Sequence, residues 1–236
     1  MATTSQHISQ QFEKELQDIR SLVLAMGGLI EQQVANAQKA LLTGDSELAR
    51  SVISLDDEVN ALEVSIDEEC IQIIALRQPT AGDLRLVAGI LKTITDLERI
   101  GDESVSIARM AISLSEKDRP KTNYRELQSM GSHVLGMLRD ALDAFARLDA
   151  EQAIKVARED REIDVEYEAI IRQLITYMME DPRTVTNAID MMWSARSLER
   201  IGDHASNICE HVIYLVEGKD VRHLSIEKME ELVQGK

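Results

Sequence analysis

The hexapeptide Leu97-Glu98-Arg99-Ile100-Gly101-Asp102 returns unchanged as Leu198-Glu199-Arg200-Ile201-Gly202-Asp203, 101 residues further along a chain of 236. The segments that lead into the two copies, residues 84–96 and 185–197, share no residue in register, yet both keep apolar residues at helical spacing. Packing alone preserves a pattern. An unchanged run that includes Glu, Arg, Gly and Asp points to a site that needs those functional groups in both places. The chain is therefore read as a duplication of about one hundred residues, too long a period for a solenoid.

Weaker echoes agree. Asp56-Asp57-Glu58-Val59-Asn60 resembles Asp160-Arg161-Glu162-Ile163-Asp164, and the residues after Asp45 resemble those after Asp149. Turn signals divide the chain into six long amphipathic segments. Apolar spacing predicts helices over residues 8–42, 46–76, 80–114, 123–148, 150–179 and 181–218. Gly44 and Gly218 act as stops, Asp45 or Ser46 as a cap, Thr80 with Asp83 as a capping box, and Asp181-Pro182 as a cap followed by proline. Gly27-Gly28 is expected to bend the first helix. The expected fold is all-α: two tandem three-helix bundles over residues 1–118 and 119–218, with residues 219–236 as a polar, weakly helical tail. The boundary is placed at Lys117-Asp118-Arg119-Pro120.

Composition excludes several classes. A net charge of −16 argues against a nucleic-acid partner, because affinity for phosphate backbones comes from Lys and Arg. The same acidity suits metal cations or a basic protein surface, or serves solubility alone. Cys70 and Cys209 lie in apolar helical stretches without metal-ligand spacing, as reduced core residues of a cytosolic protein do. No signal-like or membrane-spanning run is evident.

The chemistry concentrates around the repeated motif. At about 100° per residue, Glu98 and Asp102 stand one turn apart beside the apolar face of the third helix. Two carboxylates so placed repel by a few tenths of a kcal/mol, and a cation between them removes that cost. Gly101 and Gly202 cost about 0.5–1 kcal/mol each in mid-helix, which close helix approach or room for an ion would explain. Arg99 is expected to point away from the carboxylates. The second helix carries Asp56, Asn60 and Glu63 on the matching border, and the fifth carries Asp160 and Asp164. On the sixth, Glu199, Asp203, Asn207 and Glu210 share one face, where the third helix has Ser106 and Arg109 in the last two places. The second groove should thus bind cations more strongly. Such oxygen-rich sets suit Mg, Mn or Fe over a thiolate zinc site, unless the acids are only a solvated face. His204 and His211 are expected as surface or boundary residues and not as ligands, Trp193 as a packing or interface residue, and Met178-Met179 and Met191-Met192 as core. No His follows a Glu by three residues, so the Glu-x-x-His signature of di-iron bundles is missing, as is any candidate nucleophile with its base.

The tandem halves, each with LERIGD late in its third helix, together with Asp83-Leu84-Arg85 and the run from Arg200 to Ile208, resemble the PhoU family of bacterial phosphate-signalling accessory proteins. That resemblance implies a cytoplasmic, non-enzymatic negative regulator of phosphate homeostasis, reaching the inner membrane only through partners. It implies a homodimer that links the ATPase subunit of a phosphate ABC transporter to a phosphate-sensor histidine kinase. It also implies divalent or ferric ions (Fe, Mn, Mg or Zn) held by (Glu/Asp)xxxAsp pairs, here Glu98/Asp102 and Glu199/Asp203. A metal-free helical adaptor is the alternative.

Overall fold

The computed structural model describes residues 2–116 and 125–235, with side chains from residue 10 onward. Three helices form the first half: α1 (Ala2–Thr43), α2 (Ser46–Arg77) and α3 (Ala81–Ser115). Three more form the second: α4 (Arg125–Arg147), α5 (Ala150–Glu180) and α6 (Val185–Glu217). No strand occurs among the described residues. The proposed boundary at Lys117–Pro120 lies outside them.

The ends follow local chemistry. Gly44 takes a left-handed conformation (φ 72°), and Asp45 caps α2 by accepting from Leu48 N–H at 2.9 Å. Asp149 repeats this for α5, accepting from Gln152 N–H at 2.9 Å. Gly218 (φ 72°) closes α6. One expectation fails here: Thr80 sits at the start of α3 without a side-chain capping bond, so the capping box does not form. Asp181 caps as expected, accepting from Arg183 N–H with Pro182 next, but the turn it opens, Pro182–Thr184, is 3₁₀, and α6 begins at Val185.

Within each half the three helices pack on one another, and their short links make neighbours antiparallel. The apolar stripe of α1 is buried as its spacing requires, with Ile19, Val23, Met26, Ile30 and Val34 fully inaccessible. The two bundles also pack together through α3 on α6 and α1 on α4, and one continuous core runs across both. Pairs that ascend along α3, namely Lys92 with Tyr214, Asp96 with His211, Glu103 with Arg200 and Ser113 with Asp190, descend along α6. These helices therefore run antiparallel, with the two LERIGD segments near the middle of their contact. Gly27 serves this docking and does not break α1: a Cβ there would lie 2.6 Å from Leu142 of α4. Gly89 makes the same room for Leu215 of α6.

The tail is more ordered than expected. Residues Ile226–Val233 form α7, which packs on α5, buries Met229 and pairs Arg158 with Glu230. Met191 is core, whereas Met179 is 80% exposed.

Candidate functional site: two acidic grooves

Helix pairing brings most of the predicted acids together, one cluster per half. In the first, α2 supplies Asp56 and Glu63 and α3 supplies Glu98 and Asp102. Burial raises the Glu98 pKa, and the neighbouring charges of Asp102, Glu63 and Asp56 add to that against the opposing Arg99. Asn60 spends its amide on Asp56, donating to Oδ2 at 3.2 Å. Gln33 of α1 donates to the other oxygen of Asp56 at 3.1 Å and is fully buried, and its own side-chain carbonyl oxygen has no hydrogen-bond partner among the described residues. Sequence reasoning missed Gln33. A glutamine between Ile30 and Val34 on the buried face of α1 is the signal that could have found it.

In the second cluster, α5 supplies Asp160 and Asp164 and α6 supplies Glu199 and Asp203. Burial, then the charges of Asp203, Asp164 and Glu210, push Asp160 up to about 6. Burial and the Asp203, Asp164 and Asp160 charges push Glu199 to about 6 against the opposing Arg196, and Asp203 is raised by burial and Asp164. Glu199 is nine-tenths buried: its Oε1 accepts from Arg196 at 2.5 Å, and among the described residues its Oε2 has no hydrogen-bond partner. A buried carboxylate oxygen left so is costly unless a cation or proton reaches it.

Two expectations need correcting. Arg99 does not turn away; it lies 3.4 Å from both Glu98 and Asp102 and partly neutralises its own pair. Arg200 instead crosses to Glu103 of the other half at 2.6 Å. Asn207 does not join the Asp160 cluster. Its amide donates to Asp96 of α3 at 3.0 Å, beside His204 Nδ1 and His211 Nε2, each 2.8 Å from the same carboxylate. Asp96 accepts only, so each imidazole carries a proton on the nitrogen facing it. Burial alone would raise Asp96, yet these three bonds outweigh it and hold it at about 2. The cluster ties the halves together. Its sequence trace is the spacing of His204, Asn207 and His211 along one face of α6.

The donor chemistry of both grooves fits a hard cation: clustered carboxylates with raised pKa values, a buried unpartnered oxygen on Glu199, and an orphan carbonyl on Gln33. Among the described residues, no group of three or more His, Cys, Asp or Glu side chains is placed to hold a metal ion. Neither cysteine contributes, because burial raises the Cys70 thiol to about 12 and Cys209 higher.

A tandem pair of three-helix bundles with one acidic groove per half is the class that this fold and site define. A PhoU domain model matches residues 23–111 and again 127–212, one match per half. The chain belongs to the PhoU family. It is 50% identical over 233 residues to the phosphate-specific transport system accessory protein PhoU of Escherichia coli, covering 98% of this chain and 96% of that one. The PhoU homolog of Pseudomonas aeruginosa is 53% identical over 229 residues, covering 97% and 95%. The crystal structure of PhoU from P. aeruginosa superposes with a TM-score of 0.86 at 53% identity, covering 88% of this chain and all of that one. That of the phosphate transport system regulatory protein PhoU from Streptococcus pneumoniae gives 0.83 at 33%, covering 89% and 99%.

Proposed function

We propose that this chain is a non-catalytic regulator of phosphate transport, repressing the phosphate-starvation response when phosphate is plentiful by binding the transporter's ATPase subunit and a phosphate-sensor kinase. The observation that carries this reading is similarity over nearly the whole chain to phosphate transport accessory proteins. Its setting is intracellular, since those partners present their soluble parts there. No described helix is long and apolar enough to cross a membrane, which accords with action through partners. The grooves take divalent or ferric ions, with Glu98 and Asp102 in one and Glu199, Asp203, Asp160 and Asp164 in the other. A bound cation would supply the positive charge that relieves carboxylate repulsion, fixing α2 against α3 and α5 against α6.

Deleting the gene and following a starvation-inducible reporter in phosphate-rich medium tests the regulatory role. The reporter should switch on; silence would overturn the reading. A metal-free adaptor is the second reading, favoured by Arg99 and Arg196, which already bond the motif carboxylates. Elemental analysis of protein purified without a metal-affinity tag separates the two. Stoichiometric metal supports the first, and none supports the second.

A further inference from the structure

A pocket of about 450 Å³ opens between α5 and the N-terminal part of α6, lined by Tyr167, Ile189, Met192, Trp193 and Arg196. Trp193 is the chain's one tryptophan and is 62% exposed, and Ile189 beside it is 43% exposed. An aromatic left in water at the rim of an apolar hollow has the composition of a binding hot spot.

The duplication supplies an internal control. In the first half, 101 residues earlier, Ile189 corresponds to Ala88, Trp193 to Lys92 and Arg196 to Thr95. Lys92 there lies over the Tyr214 ring at 5.0 Å, within the contact between halves. The bundle therefore does not need an exposed apolar hollow at this register.

Charge identifies the occupant. Arg196 joins the pocket to the second acidic groove: its guanidinium lies 5.8 Å from the Tyr167 ring centre and bonds Glu199. Ile189, Trp193, Arg196, Arg200 and Asp203 follow one another at helical spacing, so pocket and groove form one stripe, about 15 Å from Trp193 to Asp203. Arg196 and Arg200 are both engaged, with Glu199 and Glu103. Asp160, Asp164, Asp203 and Glu199 leave that end of the stripe negative, and one divalent ion in the groove would not neutralise four carboxylates. A second copy of this chain fits poorly, because a two-fold contact would set this same stripe, whose two arginines are already paired, against an acidic end that needs basic partners, in a molecule of net charge −16.

We propose that this stripe docks a segment of a different protein, one that seats an apolar side chain against Trp193 and carries Lys or Arg about two to three helical turns away, over the Asp203 end of the groove. The inference rests on the partner-binding role proposed above and assigns it a surface.

The test replaces Trp193 with the photo-crosslinker p-benzoylphenylalanine in cells carrying the starvation reporter, followed by mass spectrometry of the adduct. The expected adduct joins position 193 to an apolar residue of another protein, with a basic residue within about ten positions, and high salt applied before irradiation of the lysate lowers its yield at least fivefold. Ile189→Asp, on the water-facing rim, should abolish the adduct and derepress the reporter while the circular dichroism stays unchanged. An adduct with a second copy, an adduct to a peptide without basic residues, or no adduct in cells where the substituted chain still represses would each overturn the proposal. If gene deletion switches the reporter on but Ile189→Asp represses fully and keeps its adduct yield, the docking surface fails and the regulatory reading stands. If gene deletion leaves the reporter silent, the regulatory reading fails, whatever the adduct.

Discussion

Gly101 and Gly202 occupy the same motif position yet answer to different surroundings. A Cβ at Gly101 would lie 3.2 Å from both Asp56 Oδ1 and Ile30 Cδ1 and 3.3 Å from the orphan Gln33 carbonyl, whereas at Gly202 the nearest atom, on Ile163, is at an ordinary 3.5 Å. Gly202→Ala should therefore gain the helix-propensity difference of about 0.5–1 kcal/mol. In a chain of this size that raises the melting temperature by roughly 2–4 °C per kcal/mol. Gly101→Ala should gain nothing or lose stability, and thermal melts of the two variants check the contrast. A similar logic governs the carboxylates. Asp160 and Glu199 hold values near 6 against ordinary values of 3.8 and 4.5, so the folded state binds their protons more tightly than the unfolded one. That contribution is complete below the ordinary values and is lost as pH rises through about 6. In metal-stripped protein, Asp160→Asn should raise the melting temperature at pH 7.5 by the equivalent of about 1 kcal/mol, a figure held low for solvent screening of a partly exposed group. At pH 4 the gain should nearly vanish. An equal gain at both pH values would exclude repulsion as its cause. Glu199→Gln with Asp203→Asn should keep the helices and abolish metal uptake in the second half, read by elemental analysis against the parent protein.

Helices were legible because each buries one stripe of a regular period, and the stripe of α1 from Leu16 to Leu41 is the clearest case. Most acids of the two clusters were legible too, since i and i+4 carboxylates must share a helix edge. What one helix's periodicity cannot carry is the identity of its neighbour. Gly27 read as a bend because Leu142, the atom group it makes room for, lies on a helix of the other half. Asn207 read as a ligand for the same reason: its true partner, Asp96, is on α3. The tail shows the limit most plainly. Its eight-residue helix α7 is too short to hold alone, and packing on α5 and α6 fixes it, with Met229 at 3% exposure. Met229→Ala should thus release α7 locally. Amide exchange over residues 226–233 should accelerate while the six long helices keep their protection, and unchanged exchange there would show that other contacts hold the tail.

At the scale of the molecule, two repeats share one core. Docking of α3 on α6 buries Asp96 under His204, Asn207 and His211 and sets Glu103 against Arg200, so polar groups as well as apolar surface are committed between the halves. A duplicated protein with independent bundles would unfold in two steps. Here each half alone would leave those groups unpaired and expose the surfaces that Gly27 and Gly89 keep close to Leu142 and Leu215. We therefore expect a single calorimetric transition whose van't Hoff and calorimetric enthalpies agree. Asp96→Ala removes the acceptor shared by three donors, of which His211 is itself buried. Breaking such a group costs on the order of 3 kcal/mol. The loss should fall on the contact between halves, lowering the melting temperature and separating the transition into two, one per bundle. Asp96→Asn keeps the shape and one acceptor oxygen, so it should unfold in one step at an intermediate temperature. The cluster also makes this contact acid-labile. Asp96, held near 2 against an ordinary 3.8, contributes stability above that ordinary value and loses it as pH falls toward 2. Between pH 5 and pH 2 the parent protein should lose more stability than Asp96→Asn does. If the variant falls in parallel with the parent, the carboxylate does not carry the acid sensitivity, and the halves are joined chiefly by their apolar surface.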